Sequence, residues 1–272
     1  MYMSPHVIMG VHVETSGLRV FPSFQPMILA NLYNDRMNFW ERLYNTVFYH
    51  SFFAFWEYNY FPWVDEFLTQ NNGGRELHVK DLLKNASLYI SNADLASEPP
   101  SPMIPNIIHA GGMHCRPAKP VPKKLESWIQ KGNQGFIYFS LGSTVKGADM
   151  PENFRRMFIA VFKRFSEYQI FWKWETEHMD DLPSNVMLSK WMPQQDLLGH
   201  SDCKLFITHG GLLSTQEATY HGVPVVGIGI GIDQMTNMKK TESMGAGIAL
   251  EWNKLTVDQL VSAIERVLRD RR

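Results

Sequence analysis

The feature that most constrains this chain is the stretch KLFITHGGLLSTQEATYH, residues 204–221. An apolar run stops abruptly at His209-Gly210-Gly211 and passes into the helix-compatible segment LLSTQEATYH. A strand that ends on two glycines and feeds a helix leaves the first-turn N–H groups without intrahelical partners. It also sets the positive end of the helix dipole at that point, which makes a ready phosphate site. The glycines let a phosphate approach the backbone, and Ser214 or Thr215 supplies hydroxyl donors in the first turn.

The surrounding pattern fixes what kind of fold carries that junction. Strands are expected at FIYFSL (136–141), QIFWKW (169–174), VMLSKW (186–191), KLFITH (204–209), PVVGI (224–228) and GIALE (247–251). Helices fall between them. Pro151 opens one with Phe154, Phe158, Val161, Phe162 and Phe165 on a single face, and PQQDLLGH forms a short one. The last begins in a capping box, Thr256-x-x-Gln259, with a stripe of Leu260, Val261, Ile264, Val267 and Leu268. Strands alternating with such helices imply an α/β fold with a doubly wound parallel sheet, whose ligands sit at the carboxyl ends of the strands.

Residues 1–115 read differently. FWERLYNTVFYHSFFAFWEYNYF spaces Phe39, Leu43 and Val47, and Phe48, Phe52 and Phe55, as a long helix whose aromatic face lines a core or an apolar pocket. A short helix is expected near 80–85 and a strand in LYISNAD; Asn85-Ala86-Ser87 is a glycosylation sequon, a pattern that also arises by chance. The prolines of EPPSPMIPN and GGMHCRPAKPVPKK (100, 102, 105, 117, 120 and 122) break the pattern, and 116–124 is read as an interdomain linker between an N-terminal domain and a C-terminal domain of 125–272.

Composition narrows the function. A net charge of −1 over 272 residues offers no basic stripe, so nucleic acid is a poor partner. Cys115 and Cys203 lack a Cys or His at metal-ligand spacing and read as two buried thiols. The N-terminus shows no signal-peptide pattern, and no run of about 18 apolar residues is present to span a membrane.

Several residues near the junction could carry chemistry, each beside a plainer role. Trp191 closes a strand and offers a flat face to a base, or is a core tryptophan. Gln194 and Gln195 could bind ribose hydroxyls or lie on a solvated helix face. Glu217 could reach a ribose diol or form a surface ion pair. Asp233-Gln234 matches the hydroxyls of a sugar ring, although Asp233 also suits a helix cap. Ser143, in LGSTV, is a further phosphate contact in a loop that lacks a Walker lysine. Gly227-x-Gly229-x-Gly231 is a poor match to a dinucleotide fingerprint, which disfavours a nicotinamide or flavin enzyme. No Asp-x-Asp occurs to bridge a diphosphate through a metal.

FSLGS, W-x-P-Q-x-DLLGH, FITHGG, Glu217, YHGVP and DQ stand in the order and spacing of the UDP-glycosyltransferases, which include the UDP-glucuronosyltransferases. HGGLLSTQEA resembles insect-type members, which tend to use UDP-glucose; PSF…NDRMNFWERLYN and GGMHCRPAKPVP extend the resemblance over nearly the whole chain. The resemblance implies the GT-B fold: a C-terminal Rossmann-like UDP-sugar domain after the latter part of an acceptor domain (1–115). It implies inverting, metal-independent transfer of a hexose to hydroxyls of small lipophilic acceptors, with the UDP-sugar as donor substrate and no cofactor. Trp191 would stack on uracil, and Gln194 and Glu217 would bind ribose. Ser143, His209, Gly211 and Ser214 would hold the diphosphate, and Asp233 and Gln234 the sugar. Lys173 stands where the family often has a basic residue. Homo- or hetero-oligomers with family members, detoxification, and a lumenal site at the endoplasmic reticulum membrane are further implications.

Two departures qualify this. The family's catalytic histidine and its orienting aspartate are expected ahead of Met1, so the chain reads as a fragment also lacking the C-terminal anchor; His6 and His12 match neither motif. An inverting transfer needs the acceptor hydroxyl deprotonated as it attacks, so a silent UDP-sugar-binding chain is the rival expectation. The loop GIGIGI replaces the family's proline and aromatic, and each glycine adds disorder of about 0.5–1 kcal/mol, so looser sugar positioning is expected.

Overall fold

The computed structural model describes residues 1–4, 15–27, 30, 36–98, 101–143, 146–176, 178–231 and 233–270. His6, His12, Pro100 and Ile232 of the glycine-rich loop lie outside them. The chain divides into two compact units, Met1–Met113 and His114–Arg272.

The first unit holds three short parallel strands, β1 (Tyr2–Ser4), β2 (Tyr89–Ser91) and β3 (Ile107–His109), in that order. Its helices are α1 (Phe39–Phe55), α2 (Phe61–Asn71) and α3 (Val79–Lys84), with a π-helical turn, Trp56–Tyr60, joining the first two. Asn38 starts α1 in a capping box with Glu41. Pro62, which cannot donate to the i→i−4 ladder, stands two residues after the end of the widened turn.

The aromatic stripe of α1 differs from its expected role. Phe39 is 70% exposed and Val47 58%. The buried residues are instead Asn45 and Tyr49. Asn45 holds the 22–27 loop, donating to the carbonyls of Pro22 and Gln25 and accepting from the Met27 N–H. Helical periodicity identifies a stripe; it does not say what covers it. Asn85 of the sequon is exposed at the end of α3.

The second unit is a six-stranded parallel sheet. Its strands are β4 (Phe136–Ser140), β5 (Gln169–Lys173), β6 (Val186–Ser189), β7 (Cys203–Thr208), β8 (Val225–Gly229) and β9 (Gly247–Glu251), in the order β6-β5-β4-β7-β8-β9. The chain winds outward one way from β4, returns to β7 and winds the other way, which is the doubly wound arrangement expected. Helices cover both faces: α4 (Lys123–Ile129), α5 (Glu152–Arg164), α6 (Gln194–Leu198), α7 (Leu212–His221), α8 (Gln234–Ser243) and α9 (Val257–Arg269). Successive side chains of a strand point to opposite faces. Ile137 and Phe139 accordingly pack with Phe158, Phe162 and Trp172 under α5 and α9. Phe136 and Tyr138 pack with Leu197, Phe206 and Ala218 under the other helices. The capping box of α9 forms as read, Thr256 accepting from Gln259 N.

Four sequence expectations change. Residues 116–124 fall inside the second unit, and Lys123 already begins α4. Strand β6 ends at Ser189, two residues short of Trp191. The first half of the glycine-rich run is strand: Gly227 and Gly229 are buried in β8, and a Cβ on Gly227 would overlap the Met238 Sδ. Glycine there permits close packing of α8 on the sheet, and Gln234 Oε1 braces the loop beyond by accepting from the N–H groups of Ile230 and Gly231. Cys115 and Cys203 are free, each only partly buried.

Candidate functional site

The winding of the sheet reverses between β4 and β7, so their carboxyl ends diverge and leave a crevice. A cavity of about 310 Å³ opens there, lined by residues that include Ser143, Lys173, Trp191, Gln194, Ser214 and Glu217. Seven positions singled out from the sequence, Gln195 among them, thus meet in one place, although Ser143 and Glu217 are separated by three strands.

Trp191 stands at the mouth with 74% of its surface exposed, which rules out the core role. The adjacent Met192 is buried and anchors it. Behind it Gln194 is fully engaged: its Nε2 donates to Glu217 Oε2 at 2.7 Å and to Ser214 Oγ at 3.0 Å, while its Oε1 accepts from the Tyr138 hydroxyl at 3.2 Å. Burial pushes the Tyr138 hydroxyl far above its ordinary pKa, so it remains a donor. Glu217 is buried and also faces His114 Nε2 at 3.6 Å. Gln195 has a different task from the one expected. It accepts from Arg116 N at 2.8 Å and donates to the His114 carbonyl, clipping residues 114–119 to the unit.

The loops that follow β4 and β7 meet at His209. A Cβ on Gly142 would stand 2.6 Å from the His209 ring and one on Gly211 2.7 Å, so the imidazole is held between the β4 and β7 loops. His209 is 7% exposed and its Nδ1 has no partner. Burial pushes its pKa below the ordinary value, partly offset by the Asp233 carboxylate, so the ring is neutral at pH 7. Helix α7 starts at Gly211 with no side chain capping it, which leaves the anion-attracting terminus open. The Thr215 hydroxyl turns back onto the Gly211 carbonyl, so Ser214 is the hydroxyl on the cavity. Lys173, at the end of β5, brings a cation to the wall and is held by Glu175 at 2.9 Å.

His209, Gly211, Asp233 and Gln234 do not line the cavity itself. Asp233 nonetheless loses its plainer reading: it precedes α8 without capping it, and its carboxylate accepts from Asn237 Nδ2 at 2.8 Å. Sequence reading missed His114, Arg116, Tyr138 and Asp196. Arg116 lines the cavity and pairs with Asp196 at 2.6 Å, which holds that carboxyl below the usual range. The prolines around Arg116 suggested a linker, and the alternation of FIYFS in a doubly covered strand does not mark Tyr138. Only DLLGH carried a signal, for Asp196.

A family model described as UDP-glucoronosyl and UDP-glucosyl transferase matches residues 2–272. UDP-glycosyltransferase UGT5 of Dactylopius coccus is 34% identical over 269 residues, covering 98% of this chain and 51% of its own length. UDP-glucuronosyltransferase 2B16 of Oryctolagus cuniculus is 34% identical over 259 residues, covering 94% of this chain and 48% of its own. The chain therefore spans about half the length of the curated relatives it matches. Among solved structures, the glycotransferase of kitacinnamycin superposes with a TM-score of 0.61 at 18% identity, over 84% of this chain and 59% of that one. The spinosyn forosaminyltransferase SpnP superposes with 0.58 at 20% identity, over 78% and 53%. These likenesses show the α/β fold of GT-B glycosyltransferases. With the family model matched from end to end, the chain belongs to the UDP-glucoronosyl and UDP-glucosyl transferase family.

Proposed function

We propose that the chain supplies the UDP-sugar site of a transferase that moves a hexose, glucose in preference to glucuronic acid, onto hydroxyls of small lipophilic acceptors. The observation that carries this is one cavity that joins an exposed indole, a Gln–Glu pair and Ser214, in the first turn of a helix without a side-chain cap. These suit, in turn, a base, a ribose diol and a diphosphate. Trp191 stacks on uracil. The Gln194–Glu217 pair opens to accept the ribose hydroxyls. Ser143, Ser214, His209 and the N–H groups after Gly211 hold the diphosphate, Lys173 adds positive charge, and no metal takes part. As the acceptor oxygen, its proton taken by a base that this cavity does not supply, attacks the anomeric carbon from the opposite side, the C–O bond to UDP breaks. The charge gathering on the leaving diphosphate is met by these fixed donors, and the sugar inverts. Asp233 and Gln234 face the sugar. The resemblance of HGGLLSTQEA to insect-type members supports glucose.

A second reading has its own observation. The one carboxylate on the cavity, Glu217, is tied to Gln194, and no His or Asp lines that wall among the described residues. A chain that binds the donor without turning it over fits this too. Titration with UDP by calorimetry and mass spectrometry of a phenol incubated with UDP-glucose separate the two. Product supports transfer, and binding without product supports the silent chain. Absence of UDP binding by the folded chain refutes the site. Trp191→Ala is expected to weaken UDP binding by about 5- to 150-fold, the loss of about 1–3 kcal/mol of stacking.

A further inference from the structure

Asn237 lies one turn into α8, is buried, and reaches two parts of the site at once. Its Nδ2 donates to the Gly210 carbonyl at 3.0 Å and to Asp233 Oδ2 at 2.8 Å. An amide carries two hydrogens, so both are committed. One holds the glycine turn between β7 and α7, and the other holds the carboxylate that stands before α8. The two bonds join loops that are 23 residues apart in sequence and that meet only because α8 packs directly on the turn: a Cβ on Gly210 would stand 2.5 Å from Met238 Cγ and 2.8 Å from the Gln234 carbonyl. The Asp233 side chain makes no capping bond to the backbone N–H groups of the helix it precedes, and its carboxylate is held by the Asn237 side chain instead. Its orientation is therefore set by Asn237.

We propose that Asn237 is a positioning residue that fixes the Asp233 carboxylate relative to the Gly210 turn, and so sets the distance between the sugar-binding and diphosphate-binding ends of the donor site. This rests on the UDP-sugar reading above. A carboxylate free to rotate would meet sugar hydroxyls in several geometries; one clamped to the phosphate turn meets them in one, and the bound sugar follows the diphosphate. A bond from a neutral amide to a carboxylate also leaves the second carboxylate oxygen free to accept from a hydroxyl.

The test compares binding of UDP and of UDP-glucose by calorimetry in the unsubstituted chain, Asn237→Ala, Asp233→Ala and the double variant, with thermal melting of each. Asp233→Ala is expected to weaken UDP-glucose about ten-fold more than UDP. Asn237→Ala should reproduce most of that selective loss, and the double variant should be no worse than Asp233→Ala alone. A purely structural role predicts something else: equal losses for UDP and UDP-glucose, or losses that add in the double variant. Either result overturns the proposal while leaving the UDP site standing. If Asn237→Ala does not fold, the isosteric Asn237→Asp is read in its place. It sets a second carboxylate against Asp233 and must impair UDP-glucose more than UDP, and an unchanged ratio overturns the proposal. Failure of the unsubstituted chain to bind UDP overturns the donor reading, and this inference with it.

Discussion

His209 shows how one residue can join electrostatics, packing and stability. It is pressed between two glycine loops, buried, and left with an unpartnered Nδ1. Its folded pKa lies below its unfolded one because burial disfavours the charged ring, with Asp233 opposing that only in part. The sign follows from proton linkage. Above an unfolded value of about 6.5 neither state carries the proton and nothing is lost. As pH falls below it, the unfolded chain binds the proton first, and stability declines until the folded ring titrates too. The denaturation midpoint is therefore expected to fall between about pH 7 and pH 5, and His209→Asn should remove part of that slope. An identical slope in the variant would show that His209 does not carry it.

At the scale of elements, what could be read from the chain depended on how local its cause was. The capping box Thr256–Gln259 spans three residues and forms as read. The β7–glycine–α7 junction is likewise written in adjacent residues, and Ser214, in the first turn after it, lines the cavity. The segment 114–119 shows the opposite case. Its prolines made it resemble a free linker, yet it is fastened by partners about eighty residues away, Arg116 N to Gln195 and Lys119 N to Asp196 Oδ1 at 2.8 Å. No local pattern announces such a pairing. The exposed stripe of α1 failed in the same way, because periodicity fixes a face and tertiary structure chooses its cover. Asp196→Ala should therefore release the segment selectively. Hydrogen exchange at the Lys119 amide is expected to rise at least about ten-fold while β4 and β7 keep their protection, since local openings cost less than global unfolding. Unchanged exchange at Lys119 would mean that the segment is held by something other than this carboxylate.

For the molecule as a whole, the decisive fact is that β4 lies next to β7. Six parallel strands wound in two directions must leave a crevice where the direction changes. Ser143 and the His209 turn follow the two strands that flank it. The alternation of strands and helices was enough to foresee this sheet, because each crossover needs a helix. It could not foresee Tyr138 or Arg116, whose place depends on which strands become neighbours. The first unit has a sheet of its own, and none of its described residues lines this cavity. Ligand binding should therefore be felt unevenly. A ligand at about 100 times its dissociation constant stabilises the state that binds it by about 2.7 kcal/mol. With UDP at that excess, exchange protection is expected to rise in peptides covering 136–143, 191–217 and 233–243, and to stay unchanged across α1, α2 and β2. A uniform rise over both units would show that the chain responds as one cooperative body. A rise confined to the first unit would move the nucleotide site away from the β4–β7 crevice altogether.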